Sequence, residues 1–389
     1  MRGRVGMTGY ENLVVNVSNY ISSLCYSILR FEPYGECAYG CLYCYARWYR
    51  GRCTSDFRAF LKLAKRVRES GLKPIPVRLS TLVEPFQPAE EDVRASLKML
   101  SACLRIGYPV VINTKSTLVC RRPWRDLLKR LAEDRSVVVQ FSLLTLSQEV
   151  SRKLEPSAPS PSERLSAMET LASLEIPVVL RLSPFIPRVS VYPSAEELAE
   201  RLSEIGVRHV VVEALRLPPG EMNKIQELLG LKLEVEPYSF AEEGLVRVDL
   251  ATRLPEYVKL ASELKRRGIR FASCKEGLFS LHTAPDCCGF YLLSQSVRRA
   301  TLYEVYLEAS KKPLPVEEVL PVLKRRGDVV VAEEVERYPN PLKKRLRAHE
   351  RRMLKVVEND EVLSRVSPEL VVDGGSIKVK VRRSGKSKT

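Results

Sequence analysis

Three cysteines, Cys37, Cys41 and Cys44, stand in a C-x3-C-x2-C spacing within one short stretch. Thiolates are the usual ligands of iron–sulfur clusters. Three of them on one loop bind three irons of a 4Fe–4S cubane and leave the fourth iron without a protein ligand. Structural zinc is the competing reading, but zinc knuckles usually pair two C-x2–4-C units to reach four ligands. The single triplet, with aromatic Tyr43 just before its last cysteine, favours the cluster. A second group is made of Cys274, Cys287 and Cys288, with His282 between them. It is open to three readings: a second metal site (an auxiliary cluster, or zinc as Cys3His), a redox or hydrogen-donating thiol, or buried thiols without chemistry. Against a metal, adjacent cysteines seldom point to one ion. Cys25, Cys53, Cys103 and Cys120 read as single packed thiols, which behave as small hydrophobes. The sequence has three histidines, His209, His282 and His349, so chemistry built on several histidines is not expected.

An iron with an open position suits chelation by the amino and carboxylate groups of S-adenosylmethionine (SAM). A low-potential cluster, fed by a low-potential electron donor, can pass one electron to the sulfonium. That breaks a carbon–sulfur bond and yields a 5′-deoxyadenosyl radical able to take hydrogen from a substrate. The protein must supply binding, orientation and exclusion of water.

The elements that would position these groups are short apolar runs alternating with amphipathic stretches. Strands are predicted at Cys25–Arg30, Ile75–Ser80, Pro109–Thr114, Ser136–Ser142, Pro177–Ser183 and Arg208–Leu215. Helices are predicted at Asp56–Glu69, Ala89–Leu104, Trp124–Ala132, Ser162–Leu174 and Ser194–Ile205, with a further helix Leu254–Arg267 and strand Ile269–Ser273. Nearly continuous apolar strands are what a parallel sheet covered on both faces requires. The expected fold is α/β: a partial (β/α)6 TIM-like barrel with a smaller basic C-terminal α/β extension. The expected division is an N-terminal extension over 1–24, the barrel over 25–275, and a cysteine-containing segment and basic extension over 276–389.

In such barrels the C-terminal strand ends form the site. Ser80 and Thr81 end the second strand, Lys115 the third, Ser142 the fourth and Ser183 the fifth. Ser80 and Thr81 are candidates for the SAM amino group or ribose, Lys115 for the SAM carboxylate or ribose edge, Ser142 for the mouth of the site, and Ser183 for the border of the adenine. For any one serine the plainer reading is a strand-end turn residue bonding nearby backbone. Arg164 reads as a structural pairing residue, and Glu84 and Glu213 as ion-pair partners of the many arginines.

The triplet and its surroundings resemble the radical SAM superfamily, and more narrowly its branch of spore photoproduct lyase and DNA repair photolyase-like proteins. The likeness is carried by Pro33-Tyr34-Gly35, Tyr45-Ala46-Arg47, Ser80-Thr81, Glu84-Pro85-Phe86-Gln87-Pro88, Thr114-Lys115-Ser116, Gln140-Phe141-Ser142, Leu154-Glu155-Pro156, Arg164-Leu165 and Pro184-Phe185-Ile186-Pro187, in order, between Arg30 and Arg188. The resemblance implies that Cys37, Cys41 and Cys44 hold the cluster and that Ser80, Lys115 and Ser142 match SAM-contacting positions; Tyr43, Thr81 and Ser183 are further candidates to face the cofactor. The sequence departs from the branch at Glu36, Tyr39 and Val83-Glu84. It also lacks a cysteine in the second-strand region, where photoproduct lyases carry their hydrogen donor. A related enzyme with a different substrate is therefore expected.

The chain of 389 residues carries a formal net charge of +16. Such an excess favours polyanions, so nucleic acid is a candidate substrate or partner. Thermal adaptation through surface ion pairs is the alternative, suggested by a composition like that of thermophile proteins. Half of the excess, +8, falls between Leu342 and Thr389, where 14 Lys and Arg face 6 Asp and Glu and no aromatic residue appears. Arg382–Thr389 reads as a disordered tail. No apolar run is long enough to cross a bilayer, and Met1–Tyr20 lacks the apolar segment of a signal peptide. A soluble, cytoplasmic protein is expected. Two other readings stay open: a radical SAM enzyme that modifies peptides and uses an auxiliary cluster, and a non-catalytic metal-stabilised nucleic-acid-binding protein.

Overall fold

The computed structural model describes residues 9–15, 20–48, 54–238 and 244–380. Cys53 and the stretch Arg382–Thr389 lie outside them.

Seven parallel strands form the central sheet: β1 Leu29–Phe31, β2 Val77–Leu79, β3 Val110–Thr114, β4 Val137–Leu143, β5 Val178–Phe185, β6 His209–Ala214 and β7 Arg270–Ser273. Their spatial order is their sequence order, and β1 and β7 do not pair, so the sheet is an open, partial barrel. Six strand–helix units were expected, and the further strand after them joins the same sheet as β7. Between successive strands run α1 Phe57–Glu69, α2 Ala95–Ile106, α3 Trp124–Glu133, α4 Pro161–Ala172, α5 Ala195–Ile205 and α6 Leu250–Arg266. The helices start where side chains cap them. Asp56 accepts the N–H groups of Arg58 and Ala59. Ser160 and Glu163 close a capping box, which satisfies donors that the first turn otherwise leaves unpaired.

Two boundaries differ from expectation for local reasons. Only Leu29–Phe31 of the first predicted strand finds a partner, because β2 offers only Val77–Leu79. The predicted helix Ala89–Leu104 breaks at Arg94, which adopts φ 55°. There the Glu90 carboxylate accepts the N–H groups of Ser96 and Leu97 and so caps α2 from outside.

Period-2 alternation sorts the strand residues. Val110 and Ile112, Val137 and Val139, Leu180, Val210, Val212 and Phe271 face the helices and form the main core. Val111, Val138, Val179, Val211 and Ala272 face the barrel interior, where Ala284, Phe290 and three cysteines pack on them. The segment 284–293 thus plugs the floor of the barrel. Gly289 sits there at φ 72°, and a Cβ on it would lie 3.4 Å from Val179 and 3.5 Å from Val138. Further up the strands, the inward positions turn polar: Arg78, Asn113, Ser142, Arg181 and Glu213 line a cavity above this floor.

Two features escaped the sequence pattern. A three-stranded antiparallel sheet, Arg216–Leu217, Val235–Pro237 and Val246–Val248, lies between β6 and α6. Its strands are too short and too charged to show a period. The basic C-terminal region is also packed, not trailing. Its helix Asn340–Val357 buries Leu342, Leu346, His349, Met353, Val356 and Val357. Leu342 and Leu346 belong to the main core, while Met353, Val356 and Val357 share a second core with Ile21, Leu24, Leu302 and Leu363. Residues 20–24, expected as part of an extension, are built into that second core. Among the described residues, no helix is long and apolar enough to cross a membrane.

Candidate active site

The triplet loop follows β1 and is held from several sides. Gln87 clamps it twice, its Oε1 accepting Ala38 N–H at 2.8 Å and its Nε2 donating to the Glu36 carbonyl at 2.9 Å. Arg47 donates to the Gly40 carbonyl at 3.0 Å. Leu42 N–H bonds the Leu154 carbonyl at 2.9 Å, tying the loop to the segment after β4. Cys37, Cys41 and Cys44 are all free thiols, and all three line a cavity of ≈ 280 Å³. Burial pushes the Cys37 and Cys41 thiols up, and in both cases the nearby Lys115 ammonium works against it. Among the described residues, no three His, Cys, Asp or Glu side chains converge as the ligands of one metal ion would. Thiolates that each bind a different iron of a cubane stand further apart than that. The donor set, three thiolates on one loop, is of the kind that holds an iron–sulfur cluster.

The predicted SAM-facing residues fall into two groups. Lys115, Ser142 and Ser183 line the same cavity as the triplet. Lys115 Nζ lies 5.7 Å from the centre of the Tyr43 ring and 3.9 Å from Glu155 Oε1. Ser80, Thr81 and Tyr43 also line the cavity, but their hydroxyls are engaged. Ser80 Oγ lies 2.6 Å from Glu32 Oε2 and 2.6 Å from the Val83 carbonyl. Thr81 gives both its N–H, at 2.8 Å, and its hydroxyl, at 2.6 Å, to Glu32 Oε1. The Tyr43 hydroxyl donates to Glu155. Ser80 adopts φ 62°, a left-handed backbone that non-glycine residues rarely take. Glu32 holds it there. That carboxylate was missed in the sequence, since one Glu after a strand carries no signal of its own.

Behind Lys115 is a buried ion pair. Arg164 and Glu155 are each 0% exposed at their side chains. Arg164 also donates to the carbonyls of Pro159 at 2.8 Å and Ser142 at 3.1 Å, so it fastens the end of β4. Burial pushes the Glu155 carboxyl up, but Arg164 and Lys115 outweigh burial and hold it below the usual range. Glu84 accepts from Thr114 Oγ1 at 2.6 Å and Lys115 N–H at 2.7 Å, fixing the backbone from which the Lys115 side chain springs. Glu84 was expected in ion pairs; it serves hydrogen bonds instead. Glu213 does sit among cations, as expected: it pairs with Arg181, with Arg216 at 2.5 Å and with Lys275 at 3.1 Å.

Cys274, Cys287 and Cys288 line the same cavity from its floor, and Cys25 stands with them. Cys287 Sγ and Cys288 Sγ are 3.9 Å apart. Arg181 Nη2 lies 3.8 Å from Cys274 Sγ. The hydrogen bond from Cys287, against the opposing effect of burial and with help from Arg181 and Lys275, lowers the Cys274 thiol. His282, counted in this group by sequence, faces elsewhere: its Nε2 accepts Ser273 N–H at 3.0 Å. Among the described residues, no convergent set for one ion forms here. Cys25 is not an isolated packed thiol; Cys274 and Cys288, far along the chain, lie near it.

Residues 31–191 match the sequence profile of the Radical SAM superfamily, and this stretch of the chain is a radical SAM domain. Among curated relatives, the uncharacterized protein ORF301 of Acidianus two-tailed virus is 28% identical over 181 residues, 46% of this chain and 58% of its own length. The Radical SAM Nalpha-GlyT isomerase of Pseudomonas phage M6 is 25% identical over 265 residues, 63% of this chain and 53% of its own length. The chain thus spans little more than half the length of these two relatives. Among solved structures, a mutant spore photoproduct lyase aligns with TM-score 0.47 at 15% identity, covering 70% of this chain and 87% of that one. SuiB of Streptococcus suis bound to S-adenosylmethionine aligns with TM-score 0.41 at 16% identity, covering 63% of this chain and 49% of that one.

Proposed function

We propose that the chain is a radical SAM enzyme whose cluster is held by Cys37, Cys41 and Cys44. The observation that carries this is the shared cavity: the three thiols line it together with Lys115, Ser142 and Ser183 at the ends of β3, β4 and β5. When bound, the cluster and SAM supply one-electron cleavage of the sulfonium and removal of hydrogen from a substrate. The chain's own residues do the rest. Lys115 anchors the SAM carboxylate, and the Glu155–Arg164 pair with Tyr43 sets the angle of the triplet loop toward it. Ser142 and Ser183 offer hydroxyls to the amino group and nucleoside. Ser80 and Thr81 shape the turn through Glu32, leaving mainly backbone to meet the ligand. The plug over 284–293 closes the floor and excludes water from below.

Nucleic acid is the favoured substrate class, on charge. The helix Asn340–Val357 exposes Lys344, Arg347, Arg351 and Lys355, whose spacing puts them along one side. Anaerobic reconstitution with iron and sulfide tests the central reading. About four irons per chain and dithionite-dependent 5′-deoxyadenosine are expected, both lost when Cys37, Cys41 and Cys44 are changed together to Ala. Formation of 5′-deoxyadenosine at the wild-type rate by that variant overturns the assignment.

A further inference from the structure

The proposed reaction draws an electron from outside, so a carrier has to meet the surface close to the triplet. An open groove of ≈ 710 Å³ lies between α2 and α3. Arg94, Lys98 and Arg105 line it from the side of α2 and Arg130 from α3, and among the described residues no carboxylate lines it. The spacing of Arg94, Lys98 and Arg105 puts them along one strip. An apolar strip runs beside it. Val93 is 63% exposed, more than any other large apolar side chain among the described residues. Leu97 and Leu104, both half-buried, continue from it along the groove. A continuous exposed apolar strip rimmed by polar groups marks a surface that another protein covers.

The head of this groove is joined to the triplet loop. Glu90 accepts the N–H groups of Ser96 and Leu97 in the first turn of α2. It also accepts the indole N–H of Trp124, the first residue of α3, at 2.8 Å. The same buried carboxylate accepts the hydroxyl of Tyr34, which stands just ahead of Cys37. Both walls of the groove and the cluster-bearing loop therefore meet at one joint. In a parallel β/α unit the start of each helix lies at the C-terminal strand ends, the end where the triplet sits. An electron delivered at the head of the groove enters beside the triplet.

Contacts of redox carriers are small, and opposite charge steers them. A partner that matches this groove presents carboxylates round an apolar patch. Single-stranded nucleic acid matches it less well, since no aromatic ring lines the groove for a base to stack on. We propose that the groove between α2 and α3 docks a small acidic one-electron carrier protein, which reduces the cluster past Glu90 and Tyr34. This rests on the radical SAM reading of the cavity. The carrier is oxidised by one electron and the cluster is reduced by that electron; no atom moves between them.

A flavodoxin and a plant-type ferredoxin serve as acidic probes, and dithionite as a small reductant that needs no docking surface. Binding of each oxidised, labelled carrier is followed by anisotropy, and carrier-driven 5′-deoxyadenosine is measured on the reconstituted protein. Lys98, Arg105 and Arg130 are exposed and are changed together to Glu. At low salt this variant should bind the carrier and accept its electrons about tenfold or more less well, with the dithionite-driven rate unchanged. Lys344, Arg351 and Lys355 changed together to Glu alter net charge equally and should leave carrier binding as in the wild type. Failure of the wild type to bind either carrier, no loss in the groove variant, or an equal loss in both variants overturns the proposal. Loss of oligonucleotide binding by the groove variant, with carrier-driven cleavage intact, makes the groove a nucleic-acid surface and also overturns it. Should the groove variant not fold, Val93→Asp decides by the same two measurements, and carrier binding equal to wild type overturns the proposal. Absence of 5′-deoxyadenosine from the wild type with dithionite sinks the radical SAM reading, and carrier binding by anisotropy then judges the groove on its own.

Discussion

Removing Arg164 should destabilise the protein out of proportion to a single side chain. Its guanidinium is fully buried and does three things at once: it pairs with Glu155 and donates to the carbonyls of Pro159 and Ser142. Arg164→Met keeps the volume but leaves the Glu155 carboxylate buried without its main partner. Breaking a buried pair from one side typically costs about 3–5 kcal/mol. Lys115, 3.9 Å from Glu155 Oε1, offsets part of this, so the lower half of that range is expected. Changing Glu155 as well, to Met, removes the stranded charge. The double variant should then be less damaged than the sum of the singles, by about 2 kcal/mol of coupling. It still leaves the Tyr43 hydroxyl without its acceptor, worth about 1–3 kcal/mol, so it should not regain wild-type stability. Urea unfolding of the four proteins, followed by circular dichroism, gives the cycle. pH adds a second check. The folded Glu155 carboxyl lies below its usual 4.5, so its stabilising effect is complete above that value and fades as pH falls through the lower folded one. A cost under about 1 kcal/mol for Arg164→Met, with no coupling to Glu155, would refute the reasoning.

Other consequences are separately measurable. Lys115→Ala should leave iron content intact and weaken SAM binding by calorimetry by about 1.5–3 kcal/mol; unchanged affinity would remove Lys115 from the SAM site. Burial, with a smaller push from His282, brings the folded His209 down to about 3, so its neutral form stabilises the fold above the usual 6.5 and that stability is lost as pH falls from there toward 3. His209→Leu should accordingly flatten the fall in melting temperature between pH 7 and 4, and an unchanged slope would show that His209 does not contribute. Lys344, Arg347, Arg351 and Lys355 changed together to Gln should reduce the slope of log affinity for DNA against log salt by up to about 3–4, if all four meet phosphates; anisotropy titrations that give equal slopes, or no binding at low salt, would leave these charges to surface ion pairing.

The strands were legible because a two-faced parallel strand is a continuous apolar run, and the triplet because its spacing is its own signature. Arg164 could be read as a pairing residue, and its partner Glu155 was already visible in the same motif run. Glu32 could not be read: its role exists only once β1 and β2 lie side by side and Ser80 turns left-handed. Cys25 was misjudged for the same kind of reason, since Cys274 and Cys288 reach it only when the barrel curls. The basic C-terminal region was read as an appendage because charge dominates its composition. The apolar positions Leu342, Leu346, Met353 and Val356 recur at helical spacing beneath that charge, and they decide its packing.

The pairing of early and late chain has a bearing on how the protein is made. The Cys25 carbonyl accepts a bond from Arg299, and the Tyr26 hydroxyl donates to Glu304 at 2.8 Å. Ile21 and Leu24 are buried against residues up to Ile377. The segment leading into the triplet therefore lacks its partners until most of the chain has left the ribosome. Helices α1 to α5 can form earlier, but the loop carrying Cys37, Cys41 and Cys44 would stay unsecured on its N-terminal side. Metal loading in the cell then belongs after release rather than during synthesis. A ribosome-bound chain stalled near residue 290 should bind iron poorly beside the released, full-length protein, and equal loading would show that the late residues are not needed to ready the site.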